Sequence, residues 1–481
     1  MPSSIPVTAI FDIGKTNKKF LLFDDQHSIV HKRQKTLKET TDGDGFPCEN
    51  LQELTRWIID EFEQASDQKK YEITGLNFST YGASLVHVDR NGEPVTPLYN
   101  YLKPCPEDLK DEFYQKYGGK SAFSLETASP PMGMLNSGLQ LYWLKHRRQE
   151  LFQKIETTLH LPQYISYLFT RSKYADLTSL GCHTGMWNFQ NQTYHSWLNK
   201  EDVSHLLPPV KSVHFTQQIK SVKKSIKTGV GIHDSSAALA PYLLALEEPF
   251  IQLSTGTWSI AMNPFTESPL TFEEIKRDCL HYLNMYGKPV KASRLLLGAE
   301  YSHQVKKMGT HFDKDPRHLD CEADPELLEK LAKESDSSQK LILEKAHATG
   351  PYPHKQAGIW NVAKFKSYKK AAHQCMLDLA SIQTDALGLS EGTSNINQVI
   401  ITGGFAKNDF FCRLLATMLP DKKIFTTTTP YASGLGASLV LKMDSLKPDN
   451  IKKILGMTLK KPFPGLRINH YSWAKKPVKT D

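Results

Sequence analysis

The sequence predicts an α/β protein built from two related halves, because one local pattern occurs twice. The pattern is an apolar strand, a small glycine-centred turn rich in hydroxyl and amide side chains, and a second apolar strand. The first copy occupies residues 7–23 around Gly14, and the second occupies residues 250–262 around Gly256. The two turns lie half a chain apart in 481 residues, a length compatible with two or three domains of ordinary size.

Each glycine turn has the chemistry of an anion site. Glycine lets the backbone N–H groups point into the turn and lets an anion approach closely, while neighbouring Ser, Thr and Asn side chains add donors. A glycine between two strands is most often only a hairpin turn, so a single copy indicates little. The pair predicts two hairpins that grip one polyphosphate from both sides.

Elements outside the hairpins follow from turn signals and apolar spacing. Residues 73–79 and 84–88 are expected to be strands around a turn that contains Gly82. Apolar residues then recur at helical spacing from 138 to 168. The glycine-rich stretch 229–236 is expected to open a helix over 237–246.

A third glycine turn lies near the end of the chain. Residues 399–408 have the form of a strand, a turn at Gly403 and Gly404, and the start of a helix. A phosphate or a ribose can approach such a glycine pair without meeting a Cβ atom. This stretch is therefore a further candidate nucleotide contact.

Composition indicates a globular enzyme, with 40% hydrophobic and 23% charged residues. The net charge of +8 arises mainly in residues 447–481, which contain nine Lys or Arg and two Asp. This segment also contains several prolines, so we expect a solvated extension lying on the surface. Because the rest of the chain is nearly neutral, a nucleic-acid or membrane partner is not expected.

The sequence also predicts a cytoplasmic location. No apolar run is long enough to span a bilayer, and the N-terminus lacks the basic start and apolar stretch of a secretory signal. The seven cysteines are odd in number and scattered without metal-ligand spacing, which favours reduced thiols over a disulfide framework. No zinc or iron–sulfur site is indicated.

Five motifs in a fixed order resemble those of the FGGY carbohydrate kinases, which belong to the actin-like ATPase superfamily. The resemblance covers residues 7–440 and rests on Asp12-Ile13-Gly14, Gly231-Ile232-His233-Asp234, Ser254-Thr255-Gly256-Thr257, Gly403-Gly404 and Gly434-Leu435-Gly436-Ala437. It implies two domains of ribonuclease-H-like fold with an interdomain cleft. Sugar would bind mainly on the N-terminal side and ATP mainly on the C-terminal side.

The resemblance also implies the domain boundaries. We expect an N-terminal domain at 1–245, with the sugar site and the first phosphate hairpin, and an ATP-binding C-terminal domain at 246–445. Residues 446–481 would form the basic extension.

Two details resemble the rhamnulokinase and fuculokinase branch of the family. Residues 254–259 resemble the rhamnulokinase form of the second phosphate turn, and residues 79–82 resemble its Asp-Thr-Trp-Gly motif. The chain departs from the family in two places. No acid precedes Thr80, and Tyr-Asn-Tyr-Leu-Lys at 99–103 replaces the usual Trp-x-Asp-x-Arg sugar contact.

Asp234 is the expected catalytic base, because a sugar hydroxyl is a poor nucleophile and a carboxylate that accepts its proton assists phosphoryl transfer. The same position matches the catalytic aspartate of the family. The alternative is that Asp234 only caps the following helix, since Asp is a preferred N-cap residue.

Asp12 ends an apolar strand, where an unpaired buried carboxylate is costly. We expect Asp12 and Asp234 to hold Mg²⁺, which prefers oxygen ligands and keeps several waters. The alternative for Asp12 is hydrogen bonding to the N–H groups of its own turn.

The remaining site residues follow from the two turns and from the resemblance. Lys18 is a further candidate cation, and Trp258 is expected to pack in the core rather than touch nucleotide. The expected sugar contacts are Thr80, Tyr81, Gly82, His233 and Asp234. The expected ATP contacts are Gly14, Lys15, Thr16, Asn17, Thr255, Gly256, Thr257, Gly403, Gly404 and Asn408.

The sequence as a whole predicts an ATP- and Mg²⁺-dependent kinase of a ketose, with a 6-deoxyhexulose such as L-rhamnulose or L-fuculose as substrate. A pentulose kinase and a non-catalytic actin-like protein that binds ATP or sugar are the alternatives. The expected partners are the sugar and ATP, and the expected state is a monomer or a homodimer.

Overall fold

Both predicted hairpins form, and each belongs to its own sheet in a separate unit of the chain. The computed structural model describes residues 4–220, 225–334, 343–352, 360–427, 429–443 and 446–468. The first unit comprises residues 1–246, 281–289 and 429–454, and the second comprises 247–280, 290–428 and the residues from 455 onward. Two segments from the C-terminal half of the chain therefore belong to the first unit.

The strands and helices of the described residues are as follows. The strands are β1 (Ile5–Ile13), β2 (Lys18–Phe23), β3 (Ile29–Lys35), β4 (Thr40–Thr41), β5 (Pro47–Cys48), β6 (Tyr71–Thr80), β7 (Leu85–Val88), β8 (Thr157–His160), β9 (Ala175–Asp176), β10 (Trp187–Asn188), β11 (Thr193–Tyr194), β12 (Val210–Lys211), β13 (Thr216–Lys220), β14 (Ser225–Gly229), β15 (Ile232–His233), β16 (Phe250–Thr255), β17 (Ser259–Asn263), β18 (Cys279–Leu283), β19 (Pro289–Leu295), β20 (Gln398–Gly403), β21 (Lys423–Thr426) and β22 (Thr458–Lys460). The helices are α1 (Leu51–Asp67), α2 (Glu107–Lys116), α3 (Gly119–Glu126), α4 (Gly138–Arg147), α5 (Gln149–Phe152), α6 (Leu161–Thr170), α7 (Leu177–Leu180), α8 (Trp197–Lys200), α9 (Asp234–Ala245), α10 (Phe272–Lys276), α11 (Leu297–Phe312), α12 (Pro325–Lys333), α13 (Tyr368–Glu391), α14 (Asp409–Met418), α15 (Ala432–Leu439) and α16 (Pro448–Leu455).

The main sheet of the first unit has the order β13-β14-β6-β1-β2-β3, with β15 also beside β6. Strand β1 pairs antiparallel with β2 and parallel with β6. Helix α15 packs against β1, and residues 7–13 of β1 are buried throughout, on both faces of the strand. A strand covered on both faces is expected to be a nearly continuous apolar run, which is what the sequence shows except at Thr8 and Asp12.

The sheet of the second unit has the order β18-β19-β17-β16-β20-β21-β22. Strand β16 pairs parallel with β20 in a register that sets Thr255 opposite Gly403. Gly403 has a φ of +81°, and a Cβ at this position would lie 1.9 Å from the Thr255 carbonyl oxygen. The predicted glycine turn after β20 thus lies directly beside the second hairpin.

The helical spacing over 138–168 does not correspond to one helix. It is divided among α4, α5 and α6, with strand β8 inserted before α6. Strand β8 pairs antiparallel with β7, so a partner far away in sequence overrides the local apolar spacing. Pro162 then lies in the first turn of α6, where a missing N–H costs nothing.

The expectation of a solvated C-terminal extension is wrong for residues 448–466. Helix α16 and strand β22 form there, and β22 pairs antiparallel with β21 at the edge of the second sheet. Phe463 and Leu466 are buried. Apolar side chains at these positions anchor the segment in spite of the basic residues between them.

Helix α9 contains Pro241, which has no N–H to donate to the carbonyl of Ala237 one turn earlier. Helix α15 packs against α9 at this point, and a Cβ on Gly436 would lie 1.8 Å from the Ala237 carbonyl oxygen. The second glycine of the Gly434–Ala437 motif is therefore required by helix packing.

We predict that Gly436→Ala lowers the free energy of unfolding by about 1–3 kcal/mol, since the added methyl group forces α15 away from α9. Gly388→Ala in α13 is the matched control, because no atom lies within 4 Å of a Cβ there. The control should gain about 0.5–1 kcal/mol from helix propensity. Urea denaturation followed by tryptophan fluorescence measures both, and equal stability of the two variants would contradict the packing argument.

Candidate active site

Three parallel strands end at one edge of the first sheet and bring the predicted site residues together. Register pairs Asp12 of β1 with Ser79 of β6, and pairs His233 of β15 with Thr80. Asp234 follows His233 directly and is the first residue of α9. The carboxyl ends of parallel strands are a usual place for ligand sites in open α/β sheets.

Asp234 lies in an environment that raises its pKa to about 7. The largest cause is burial by the surrounding protein, although 34% of the side chain is exposed, and the second is the negative charge of Asp12. Hydrogen bonds from the backbone and hydroxyl of Ser235 and the charge of Lys19 act in the opposite direction. A carboxyl group with this pKa is a stronger base than an ordinary aspartate.

His233 holds one side of the Asp234 carboxyl group. Its Nε2 lies 3.1 Å from Asp234 Oδ1 and 3.2 Å from Cys182 Sγ. Burial lowers the pKa of His233 to about 3, so the ring is neutral at physiological pH. The backbone N–H of His233 donates to Thr178 Oγ1 at 3.0 Å, and Nδ1 lies 3.4 Å from Ser236 Oγ. These contacts fix the ring, and hence the carboxyl group beside it.

Asp12 is buried, and both of its carboxylate oxygens have partners. Lys19 Nζ donates to Oδ2 at 2.8 Å, and Ser433 Oγ donates to Oδ1 at 2.9 Å. Ser433 belongs to one of the two late segments that join the first unit. Side chains from elsewhere in the unit therefore offset the cost of burying this charge.

Lys19 is a site residue that the sequence analysis missed. It lies opposite Asp12 in the antiparallel register of β1 and β2. The Gly14 N–H donates to the Asn17 carbonyl and closes the hairpin there. Counting residue pairs outward from this turn sets residue 12 opposite residue 19, so the sequence could have indicated Lys19. Lys18, which we expected to be available as a cation, is instead buried and paired with Glu49 at 2.7 Å.

The first turn itself lies at the surface of the unit. Gly14, Lys15 and Asn17 are half-buried, and Thr16 is exposed. Lys15 Nζ lies 3.2 Å from Glu39 and also 5.9 and 6.0 Å from the ring centroids of Tyr81 and Tyr101. The turn residues are thus close to the predicted sugar contacts.

The predicted sugar contacts of residues 80–82 lie around two tyrosine rings. The hydroxyl of Thr80 donates to the Tyr81 carbonyl at 3.0 Å. The Tyr81 ring meets the Tyr101 ring edge-on at 6.2 Å, and its hydroxyl donates to Glu49 at 3.3 Å. Gly82 lies against His233, since a Cβ there would be 3.2 Å from the imidazole.

The negative charge of Asp234 affects the pKa values of two tyrosines, Tyr101 and Tyr282. Burial raises the pKa of Tyr101 and of Tyr282, and the negative charge of Asp234 raises both further. The Tyr282 ring also meets the His233 ring at 6.0 Å. Tyr282 belongs to residues 281–289, and no sequence signal linked it to a site in the first unit.

The second hairpin and the third glycine turn line a cavity of about 1120 Å³ in the second unit. Gly256, Thr257, Gly404 and Asn408 are among its lining residues. Asn408 also caps α14, because its side chain accepts from the Phe411 N–H. The helix N-terminus and the two glycine turns thus adjoin one cavity, and this grouping suits a nucleotide.

Two other predicted contacts of the second unit have structural partners. Thr255 Oγ1 donates to the Thr402 carbonyl and accepts from the Phe405 N–H, and Gly403 packs against Thr255.

Trp258, which was expected in the core, is 38% exposed at the hairpin tip. The Arg294 guanidinium lies 5.5 Å from the Trp258 ring centroid.

No group of three or more acidic, His or Cys side chains in the described part of the chain is arranged to hold a metal ion. Asp12 and Asp234 are nevertheless close enough for the first to raise the pKa of the second, a repulsion that a cation would relieve. Mg²⁺ is commonly held by one or two carboxylates together with substrate phosphates and water. The residues therefore fit Mg²⁺ that arrives with a nucleotide rather than a closed protein cage.

Comparison with known proteins identifies the family. Residues 7–236 match the N-terminal domain of the FGGY family of carbohydrate kinases, and residues 247–449 match the C-terminal domain of carbohydrate kinase FGGY. The chain therefore belongs to the FGGY family and is a sugar kinase. The expected resemblance and enzyme class are confirmed.

Individual relatives are distant. A gluconokinase of Bacillus subtilis is 21% identical over 93% of this chain and 90% of its own length. A rhamnulokinase of Oceanobacillus iheyensis is 22% identical over 46% of this chain and 47% of its own length. The crystal structure of a carbohydrate kinase from Novosphingobium aromaticivorans matches with a TM-score of 0.78 at 23% identity, covering 95% of this chain and 97% of that one. The structural match confirms the expected two-domain α/β fold of the ribonuclease-H and actin-like type.

The raised pKa of Asp234 predicts how stability depends on pH. A carboxyl group whose folded pKa lies above its unfolded value contributes stability below the unfolded pKa, and this contribution is lost as pH rises through about 7. Asp234→Asn should thus raise the free energy of unfolding at pH 8. One pKa unit corresponds to about 1.4 kcal/mol, and solvent screening of the exposed part reduces the expected gain to about 1–2 kcal/mol.

Urea denaturation at pH 8 and pH 5.5 measures this effect. The gain should shrink at pH 5.5, where folded Asp234 is mostly protonated. Asp60→Asn in α1 is the control, because Asp60 is exposed and should show little change at either pH. A gain that is equal at the two pH values would contradict the titration of Asp234.

Proposed function

We propose that this sugar kinase transfers a phosphoryl group from ATP to a hydroxyl of a ketose, with Asp234 as the general base. The observation that carries the proposal is the carboxyl group of Asp234, with a raised pKa, at the sheet edge that also holds Asp12, Lys19 and the tyrosine rings. A carboxyl group with a pKa near the working pH is deprotonated in a large fraction of molecules and still binds a proton strongly, which is what a general base requires.

Three side chains at this edge, Asp234, His233 and Lys19, each have a defined part in the proposed reaction. Asp234 Oδ accepts the proton of the attacking hydroxyl late in the transfer, as the new O–P bond forms and the bond from the γ-phosphorus to the β-phosphate oxygen breaks to release ADP. His233 stays neutral and orients the carboxyl group through the 3.1 Å contact. Lys19 compensates the charge of Asp12 and supplies a cation beside the first turn.

Asp12 and Asp234 are the residues that would hold Mg²⁺ in this proposal. The ion would neutralise charge on the transferred phosphate. Lys19 and Ser433 keep Asp12 oriented at the end of β1.

The charges of the first unit support an uncharged sugar as substrate. Lys15 pairs with Glu39, Lys18 with Glu49, and Lys103 with Asp42 and Asp44. A sugar acid such as gluconate would have to displace one of these carboxylates to pair its own. The similarity to a gluconokinase extends over most of both chains, and it would favour a sugar acid as substrate. The carboxylate partners of these lysines favour an uncharged sugar instead.

The aromatic rings support a deoxy sugar. The charge of Asp234 acts on Tyr101 and Tyr282, and the Tyr101 ring also contacts Tyr81, so largely apolar rings lie near this site. A methyl group packs against such surfaces, whereas a hydroxyl loses its water partners there at a cost of about 1–3 kcal/mol. The proposed substrate is accordingly a 6-deoxyhexulose such as L-rhamnulose or L-fuculose.

Free thiols support the proposed cytoplasmic location. All seven cysteines lie within the described residues, and none of them forms a disulfide bond there. In the described part of the chain no helix has the length and apolar character needed to cross a bilayer.

We predict that Asp234→Asn lowers kcat by about 10²–10⁴-fold, because the amide cannot accept the proton of the sugar hydroxyl. ADP affinity should stay within about twofold, since the nucleotide cavity is in the second unit. In the wild type, kcat/KM should fall as pH drops below about 7, as Asp234 takes up a proton. A coupled assay of ADP release measures the rates, with Asp60→Asn as control; near-normal turnover of Asp234→Asn would exclude it as the base.

We predict that 6-deoxyketoses are phosphorylated with a kcat/KM about 5- to 150-fold above that of their 6-hydroxy counterparts, from the same desolvation cost. The panel contains L-rhamnulose, L-fuculose, L-fructose, L-tagatose, D-xylulose, L-ribulose and D-gluconate, each with ATP and mass detection of the product. Preference for a pentulose or a 6-hydroxy ketose would overturn the deoxy-sugar proposal and leave the kinase intact. Preference for gluconate would show that one of the paired lysines is recruited by the substrate.

A further inference from the structure

The cavity of the second unit extends beyond the glycine turns to a cation and an aromatic ring. Arg413 and Phe463 both line it, as do Gly256 and Gly404 at the turns. The glycine turns have the chemistry of a phosphate site, and the Phe463 ring does not. A guanidinium such as that of Arg413 either pairs with phosphate oxygens or stacks on a flat group, so its surroundings decide between the two roles. Neither Arg413 nor Phe463 was among the site residues predicted from the sequence.

Arg413 lies on the second turn of α14, on the face that is turned toward the cavity. Phe410, Arg413 and Thr417 recur at helical spacing and so share one face. Phe411 and Leu415 lie on the other face and are buried in the core of the unit. The core therefore fixes the rotation of the helix, and with it the position of Arg413.

Phe463 comes from the C-terminal segment, which is held in place at several points. Its N–H donates to Thr417 Oγ1 at 3.0 Å, and its ring meets Phe410 edge-on at 6.2 Å. Upstream, β22 pairs with β21, and Lys460 pairs with Asp409 at 2.9 Å. Phe463 is only 4% exposed, and it is one of the residues that line the cavity.

The Arg413 guanidinium stacks on the Phe463 ring, with Cζ at 4.1 Å from the ring centroid. Among the described residues Arg413 has no carboxylate partner. A guanidinium is planar, so a group that covers one of its faces leaves the other available for a second flat group. Purines stack on guanidinium planes and on aromatic rings.

We propose that Arg413 and Phe463 form the stacking wall for the purine base of the nucleotide, so that the C-terminal segment 455–468 completes the nucleotide site. This inference rests on the proposed function in one respect, namely that ATP occupies this cavity. The polyphosphate then lies at the glycine turns, and the base lies against the second turn of α14. A segment with a basic composition thereby contributes through one apolar ring rather than through its charge.

The test is direct binding of ADP and of pyrophosphate to the full-length protein by titration calorimetry, without sugar. Arg413→Met keeps most of the packing on Phe463 but loses the planar group, and Phe463→Leu loses the ring. Both should weaken ADP binding by about 5- to 100-fold and leave pyrophosphate binding unchanged, because stacking contributes on this scale per base. Arg413→Lys should weaken ADP binding nearly as much, since a lysine keeps the charge without the flat face.

One variant serves as the control for these effects. Arg317→Met should bind ADP like the wild type, because Arg317 is exposed and pairs only with Asp315 in the described residues. If Phe463→Leu fails to fold, the ADP and pyrophosphate affinities of Arg413→Met and Arg413→Lys test the inference.

Unchanged ADP affinity in Arg413→Met would overturn the inference. Full retention in Arg413→Lys, or an equal loss of pyrophosphate binding in Arg413→Met, would also overturn it, because either result assigns Arg413 to the phosphates. Failure of the proposed function has a different signature: the wild type would bind ADP normally but show no ketose-dependent ADP release.

Discussion

The repulsion between two carboxylates, Asp12 and Asp234, is the interaction on which the proposed chemistry depends. Strand pairing places both at one edge of the first sheet, and the charge of Asp12 helps to raise the pKa of Asp234. Lys19 compensates Asp12 enough for it to remain buried and also lowers the pKa of Asp234 to a smaller extent. The result is a base poised near neutral pH, and a pair of oxygen ligands whose repulsion a divalent cation relieves.

This arrangement requires α9 to start at a fixed place, and several buried contacts fix it. Asn77 of β6 accepts from the Gly231 N–H at 3.2 Å just before α9, and donates to the Ala437 carbonyl of α15 at 2.8 Å. Gly229 also packs on Asn77, with no room for a side chain. A buried amide that is satisfied on both sides ties the loop before α9 to a helix from the far end of the chain.

The two units meet different chemical demands. The first holds the Asp234 carboxyl group, with its raised pKa, together with tyrosine rings and paired lysines, which agrees with the proposed neutral acceptor. The second offers glycine turns, a helix N-terminus and a stacked Arg413–Phe463 pair around one cavity, a setting suited to a phosphorylated nucleotide. The division agrees with the order of the motifs along the chain, although the C-terminal residues contribute to both units.

The sequence by itself determined the features that depend on neighbouring residues. Both hairpins, the strand before Gly403 and the helix after His233 follow from local apolar runs and glycine turns. The motif order was enough to identify the family, because a set of short patterns in sequence survives at identities near 20%. The register of the first hairpin, which follows from its four-residue turn, also implies the pair of Asp12 with Lys19.

Only the tertiary structure decided which distant segments meet. Ser433 and Tyr282 reach the Asp12 and Asp234 site from the second half of the chain, and Phe463 reaches the cavity of the second unit from a segment predicted to be solvated. The raised pKa of Asp234 likewise depends on burial and on a neighbour that is far away in sequence. Periodicity and turn signals report the conformation of a few adjacent residues, whereas burial and charge pairing depend on the whole folded chain.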